Sequence, residues 1–193
     1  MKTLIATMLA ATAIAVPATA LAQARPAILI VDTERVATDC TACKAAGTQL
    51  QQRETQLRTR AQTLQQQLQT EGKPLQDAVT ALKGKDPDAA LQQRITAFQG
   101  KERSAQQELA NSQRTLQSTA ANVNQQIGSK LLQVVEQIRA RRGAAIVMAK
   151  SGTIASDTTI DVTGEVLTAL NQQLPSVSVT PLPQQQQQQP QGR

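Results

Sequence analysis

Two series of apolar residues at helical spacing restrict the fold of this chain more than any other feature. They recur at steps of three, four or seven residues, which places each series along one stripe of a helix. A break at residues 83–88 separates the two series, and no proline occurs between Pro87 and Pro175. The sequence therefore predicts two long helices joined by a short turn. The first stripe holds Ala46, Leu50, Leu57, Leu64, Leu68, Leu75, Val79 and Leu82, and the second holds Leu91, Ile95, Phe98, Ala105, Leu109, Leu116, Val123, Ile127, Leu131, Val134 and Ile138.

The turn between these helices is predicted from glycine and proline positions. Gly84 suits the end of the first helix, and Asp86 is predicted to cap the second, with Pro87 in its first turn. Pro74 also interrupts the first stripe, but the apolar spacing continues in phase, so a kink is predicted there and not a helix end. A short turn makes the helices antiparallel neighbours about 60 and 80 Å long.

The composition fits long helices with a narrow buried seam better than a compact globule. The chain has no Trp, Tyr or His, and Phe98 is its one aromatic residue. Without histidine, the usual general base near neutral pH and the commonest metal ligand are both missing. No phosphate-binding loop or serine-nucleophile turn is present. We therefore predict a protein that is not an enzyme and that uses no cofactor or metal.

Two unbroken apolar runs flank the hairpin, and each is typical of a buried strand. They are Ala27–Val31 and Ala144–Ala149, and a weaker third strand is predicted over Thr153–Ser156. Asp161 is predicted to cap a last helix that Pro175 ends. A head this small cannot cover both faces of its sheet, so copies of the chain should pair there. The predicted core and oligomer contacts are Ile28, Ile30, Ile146, Met148, Val162, Val166 and Leu170.

The two ends of the chain lie outside this predicted core. A lysine, a short apolar run and a small-residue site predict a secretory signal peptide over residues 1–22. Residues 176–193 end in a Pro- and Gln-rich stretch for which disorder is predicted. The predicted organisation is thus a signal peptide at 1–22, a head from 23–43 and 143–175, a hairpin at 44–142 and a tail at 176–193, with the mature protein in the periplasm.

Positive charge is concentrated on the predicted hairpin. The whole chain carries a formal net charge of +6, whereas residues 44–142 hold 15 Lys and Arg against 8 Asp and Glu. This excess favours acidic proteins or anionic membrane lipids as partners. Nucleic acid is not expected, because no aromatic stacking platform is available. The residues predicted to attract a polypeptide client lie near the turn: Lys73, Lys83, Lys85, Lys101 and Arg103.

Cys40 and Cys43 form the single reactive-looking motif of the chain. Their CxxC spacing occurs in local disulfides, in redox enzymes and in half zinc sites. A zinc site needs further ligands, and one chain has no other Cys or His. Export to an oxidising compartment favours a disulfide at the base of the first long helix. Free thiols, and a redox or metal function, remain the alternatives.

The order of these segments resembles the Skp/OmpH-like periplasmic chaperones. The resemblance rests on Ala27–Asp32, on Ala144–Ala149 and on the stretch from Asp157 to Leu167, which includes an Asp-hydrophobic-Thr motif before a Val-Leu helix. It implies an α+β fold in which a long coiled-coil hairpin projects from a small mixed sheet. It also implies a homotrimer shaped like a jellyfish. The cysteine pair, the glutamine-rich tail and the near absence of aromatic residues depart from the family pattern.

The function predicted with this resemblance is that of an ATP-independent holdase. Such a protein binds unfolded outer-membrane proteins and prevents their aggregation during transit. The alternative from a different class is a structural coiled-coil spacer or adaptor of the cell envelope. A spacer should bind one folded partner, whereas a holdase should bind many unfolded chains.

Overall fold

The structure, a computed structural model, describes residues 28–182 and consists of a two-stranded sheet, two short helices and two very long ones. The predicted signal peptide and the glutamine run lie outside the described residues. In chain order the elements are β1 (Ile28–Val31), α1 (Thr33–Asp39), α2 (Thr41–Ala81), α3 (Ala89–Arg142), β2 (Ile146–Ala149) and α4 (Thr163–Gln173), with 3-10 turns at Lys150–Gly152 and Thr158–Ile160.

The two long helices confirm the central prediction from the sequence. Helix α2 has 41 residues and α3 has 54, so they extend for about 60 and 80 Å. Helix α2 continues through Pro74, as the uninterrupted phase of its stripe predicted. Lys83 and Gly84 both have positive φ in the turn, a conformation that suits glycine. Asp88, and not the predicted Asp86, caps α3 by accepting a hydrogen bond from the Leu91 N–H at 2.7 Å.

The sheet of the head is parallel and has two strands, in place of the predicted mixed sheet. Ile28 pairs with Ile146 and Val31 with Ala149, so the hairpin is the crossover connection between the strands. The third strand predicted over 153–156 is wrong. Instead, Asp161 forms a single parallel bridge to Ile30, and the Val162 N–H donates to the Ile30 carbonyl at 2.9 Å. This contact occupies the Ile30 carbonyl of β1, to which a third strand would have to hydrogen-bond.

The core of the head joins β1, α1 and α4 to the base of the hairpin. Leu29 and Val31 of β1, together with Val36 of α1, pack with residues of α3 and α4. The α3 and α4 members of this cluster are Val134, Ile138, Val166 and Leu170, all nearly or fully buried. Helix α4 therefore clamps the base of the hairpin onto the sheet.

The first part of the predicted disordered tail is ordered. Residues 176–182 run along α3, and Val179 is buried against Ala46 and Val123. Disorder was predicted there because the tail ends in a low-complexity run rich in Pro and Gln. The apolar contacts of Val177 and Val179 supply the stabilisation that composition alone did not indicate.

A hydrogen-bonded chain of side chains closes the head. The Asp32 N–H donates to Thr163 Oγ1 at 2.9 Å, and that hydroxyl donates to Asp161 Oδ1 at 2.5 Å. The Thr163 N–H also donates to Asp161 Oδ1 at 3.0 Å, and Lys150 forms an ion pair with Oδ2 at 3.0 Å. The Thr163 hydrogen bonds in particular lower the pKa of Asp161 from 3.8 to about 2.

Acid should therefore weaken the head. Because the pKa of Asp161 is lower in the folded protein, its contribution to stability is present above about pH 4 and is lost as the pH falls towards 2. We expect Asp161→Asn to remove about 1–2 kcal/mol of this acid-dependent stability. Urea unfolding followed by circular dichroism between pH 2 and 7 measures the effect. Asp86→Asn, in the exposed turn, is the control. An acid dependence in Asp161→Asn equal to that of the wild type would contradict the assignment.

Candidate client-binding hairpin

The hairpin is the candidate site because most of its surface is exposed. Five residues of α2 and five of α3 are buried, and several of these lie in the head. Outside the head, the two helices bury only a narrow strip of side chains between them, and the polar and apolar residues on either side of this strip are open to solvent. The hairpin therefore has a large exposed surface and few core contacts.

Ion pairs link neighbouring helices along this seam and at its base. Arg60 binds Glu108 through both carboxylate oxygens, at 2.6 and 3.0 Å. The hydrogen bonds from Arg60 hold the pKa of Glu108 below its usual value. Nearer the turn, Lys101 of α3 pairs with Glu71 of α2. At the base, burial opposes ionisation of Glu165, but hydrogen bonds from Arg142 and Arg141 still lower its pKa.

The structure places the five predicted client-binding cations at the end of the hairpin nearest the turn. Lys73 pairs with Asp77 at 3.3 Å, and Lys101 pairs with Glu71. Arg103 donates a hydrogen bond to the Gln99 carbonyl at 3.4 Å. Lys83 and Lys85 lie in the exposed turn and form no ion pair with any residue of 28–182. The cations therefore share one region, although two of them are partly neutralised.

An apolar groove lies beside Lys73, one of these cations. It has a volume of about 860 Å³, and Leu75, Ile95 and Phe98 contribute to its wall. Val79 lies at this groove with 43% of its surface exposed. Gly72 lets the Phe98 ring approach α2, since a Cβ atom at Gly72 would lie 2.9 Å from Phe98 Cζ. Exposed apolar surface and positive charge therefore occur together at this end of the hairpin.

The predicted head residues divide into a buried and an exposed group. Ile30, Val162, Val166 and Leu170 are buried. Ile28, Ile146 and Met148 are 41, 48 and 40% exposed, and they share one face of the sheet by their register. Helices cover the opposite face, to which Leu29 and Val31 belong. Ile30 lies on this same face by its register but is buried, so the open apolar patch of the face consists of Ile28, Ile146 and Met148.

Cys40 and Cys43 form a disulfide in the structure. Cys40 separates α1 from α2, and both residues belong to the core of the head. The Thr41 N–H donates to Asn171 Oδ1 of α4 at 2.9 Å. The disulfide therefore lies where the first long helix meets the last one.

The disulfide should stabilise the head without taking part in client binding. Replacing both cysteines by serine should lower the free energy of unfolding by about 2 kcal/mol, the cost expected for losing a short-range crosslink. Urea unfolding measures this, and reductant should destabilise the wild type but not the double variant. Thiol labelling of the native periplasmic protein should detect no free thiol. A variant that is folded but no longer prevents client aggregation would indicate a redox role.

No group of three or more His, Cys, Asp or Glu residues in the described part of the chain could hold a metal ion. Within residues 28–182, no helix is long and apolar enough to cross a membrane.

Sequence reasoning missed the polar residues of α3 that hold residues 176–182. These are Ser118, Asn122 and Gln126, at a spacing of four residues. Two patterns in the sequence could have indicated this contact: the regular spacing of these three residues, and the alternation of Val177 and Val179 with Ser and Thr. Nothing in the sequence shows that these two patterns meet.

The fold defines a class of α+β proteins in which a long antiparallel helical hairpin projects from a small head that contains a parallel sheet. Comparison with known proteins then specifies the family. The family model for outer membrane protein (OmpH-like) matches residues 27–170, and the chain belongs to this family. Membership supports a chaperone function in general terms and agrees with a protein that is not an enzyme.

A solved structure with the same fold comes from Caulobacter crescentus CB15. It is an OmpH-like protein described as a candidate outer membrane chaperone, with a TM-score of 0.68 and 18% sequence identity. The match covers 84% of this chain and 94% of that one. No curated protein sequence matches the chain.

Proposed function

We propose that this protein is an ATP-independent periplasmic holdase that binds unfolded outer-membrane proteins and prevents their aggregation in transit. The observation that carries the proposal is the hairpin, whose two long helices bury few residues and leave most of their surface free. Membership of the OmpH-like family supports the same function.

Client capture on this surface combines two weak effects. The basic excess of the hairpin attracts anionic unfolded chains over a distance of about one Debye length. Exposed apolar side chains such as Val79 then make short-range contacts with the client. Because each contact is weak, a client that can fold elsewhere leaves without any nucleotide-driven step.

The proposed assembly is a homotrimer joined through the open face of the sheet. Ile28, Ile146 and Met148 supply apolar surface that one copy of the chain does not cover. Burying this face in an oligomer removes it from water, which is favourable. The basic hairpins are then also available to anionic membrane lipids. Light scattering of the mature protein at micromolar concentration should give three times the chain mass, and a monomer mass would contradict the trimer.

Aggregation suppression tests the proposed function. Several denatured β-barrel outer-membrane proteins are diluted into buffer with and without the mature protein, and turbidity is followed. We expect suppression for all of them, without ATP, and no binding to the same proteins once folded. Stoichiometric binding of one folded partner, without suppression, would instead support a structural spacer.

A further inference from the structure

Three polar side chains of α3 hold the extended segment 176–182 through its backbone. Gln126 Nε2 donates to the Ser178 carbonyl, and Gln126 Oε1 accepts from the Ser178 N–H, both at 3.0 Å. Asn122 Nδ2 donates to the Thr180 carbonyl at 2.9 Å. Ser118 Oγ accepts from the Leu182 N–H at 3.0 Å. All four hydrogen bonds therefore go to the main chain of the segment.

The spacing of these contacts matches two backbone periods. Four residues of an α-helix rise by about 6 Å, and two residues of an extended chain by about 6.6 Å. The distance between successive side chains in the series Gln126, Asn122 and Ser118 therefore nearly equals the distance between residues 178, 180 and 182 of the segment. A helix with polar residues at every fourth position can in this way bind an extended chain whatever its sequence.

The alternate side chains of the segment supply the selectivity. Val179 is only 8% exposed and packs with Ala46 and Val123. Val177 packs against the same cluster, next to which Leu50 and Ile127 are also partly buried. Ser176, Ser178 and Thr180 point away and are exposed. The surface thus accepts an extended segment with small apolar residues two positions apart, as Val177 and Val179 are.

We propose that this surface, the ladder formed by Ser118, Asn122 and Gln126 with the apolar strip beside it, is a binding site for extended polypeptide segments. Residues 176–182 occupy the ladder in the free protein, and a client segment with the same alternation replaces them. Alternating apolar and polar residues are the pattern of transmembrane β-strands. The identity of the client rests on the proposed holdase function, whereas the mode of recognition rests on the ladder alone.

The energetics suit exchange between the two segments. A few neutral hydrogen bonds and two valine side chains give a weak site, since each such bond contributes about 1 kcal/mol net. The tail is joined to the end of α4 by a few residues, which gives it an effective concentration of millimolar order. A client already held elsewhere on the hairpin is present at a comparable effective concentration. Replacement of the tail by a client is therefore nearly balanced.

The test uses the full mature chain and two labelled peptides. One peptide has valine at every second position between serine and threonine, and the other has the same composition with its valines adjacent. Val177→Asp with Val179→Asp should expel the tail, and Ser176→Asp with Thr180→Asp is the control with equal charge on the exposed side. Fluorescence anisotropy should show about ten-fold tighter binding of the alternating peptide to the first variant than to the control, because removal of the resident segment raises the fraction of open sites.

A second pair of variants tests the ladder itself. In the tail-expelled protein, Asn122→Ala with Gln126→Ala should abolish binding of the alternating peptide, whereas Asn124→Ala with Gln125→Ala, on exposed positions, should not. Circular dichroism checks the fold of each variant. If expelling the tail prevents folding, the wild-type protein is used instead. It should prefer the alternating peptide, and Asn122→Ala with Gln126→Ala should remove this preference.

Two outcomes would overturn the proposal: no binding of the alternating peptide at millimolar concentration, or equal binding of the two peptides. Residues 176–182 would then be a structural strap only. Aggregation suppression by the wild type is measured separately. Aggregation suppression without peptide binding would contradict the ladder as a binding site and would leave the holdase function in place. Peptide binding without aggregation suppression would support the ladder and contradict the holdase function.

Discussion

Leu170→Ala should lower the free energy of unfolding by about 2–5 kcal/mol, the range found when a buried leucine is truncated. Leu170 is fully buried in the cluster that joins α4 to β1 and to the base of α3. Truncation would leave a cavity inside this cluster, which also contains Val134 and Ile138 of α3, so the clamp on the hairpin would loosen. A loss of this size is a large fraction of the stability of a small domain.

Urea unfolding at one fixed protein concentration measures this effect, since assembly would make stability depend on concentration. Leu132→Ala is the matched control, because Leu132 lies on the same long helix and is 70% exposed. It should change the free energy of unfolding by less than about 0.5 kcal/mol. An equal loss in the two variants would contradict the special role of α4 and would place Leu132 in an interface between copies.

Replacing Lys73, Lys83, Lys85 and Lys101 by glutamine should slow client capture by about three- to ten-fold at low salt, because steering by a charged surface acts on the association rate. The ion pairs of Lys73 and Lys101 strengthen this expectation. Their loss leaves Asp77 and Glu71 without these partners, so the end of the hairpin gains local negative character. The helices should persist, since glutamine is nearly as good a helix former as lysine.

Stopped-flow capture of a denatured β-barrel protein measures this rate, after circular dichroism has checked the fold. The matched control replaces four cations nearer the base by glutamine: Lys44, Arg53, Arg114 and Lys130. Residues 44 and 73 lie about 40 Å apart along α2, far beyond the screening length of about 10 Å at 0.1 M salt. The control should slow capture less. Equal rates in the wild type and the first variant would make these lysines a solvated face, and capture would then depend on apolar contacts.

The sequence predicted the long helices well because their apolar period repeats over many turns. It was less reliable where two nearby residues could both cap the same helix. Asp86 and Asp88 flank Pro87, and both could cap a helix, but in the structure Asp88 caps α3. The strand predicted over Thr153–Ser156 failed for a different reason. Its composition is suitable, but Asp161 and Val162 contact the β1 backbone instead.

In the candidate site, the positions of residues along a helix could be predicted, but their contacts with distant parts of the chain could not. The cations could be placed near the turn, because their distance from Gly84 can be counted along a helix. Their partners could not be predicted, since pairs such as Lys101 with Glu71 depend on the register of the two helices. The ladder on α3 and the valines of the tail lie more than 50 positions apart in the chain. Local patterns do not contain that contact.

The parallel pairing of β1 with β2 also determines the order in which the molecule can fold. Asp32 and Thr163 meet in the head although they are 131 residues apart, and the whole hairpin lies between them. Contacts between such distant residues form slowly, whereas helices and tight turns form from local contacts within microseconds. A chain that enters a compartment from its N-terminus therefore completes the hairpin while β1 still lacks its partner. Until β2 and α4 arrive, Ile28–Val31 is itself an unpaired apolar strand of the kind that needs protection from aggregation.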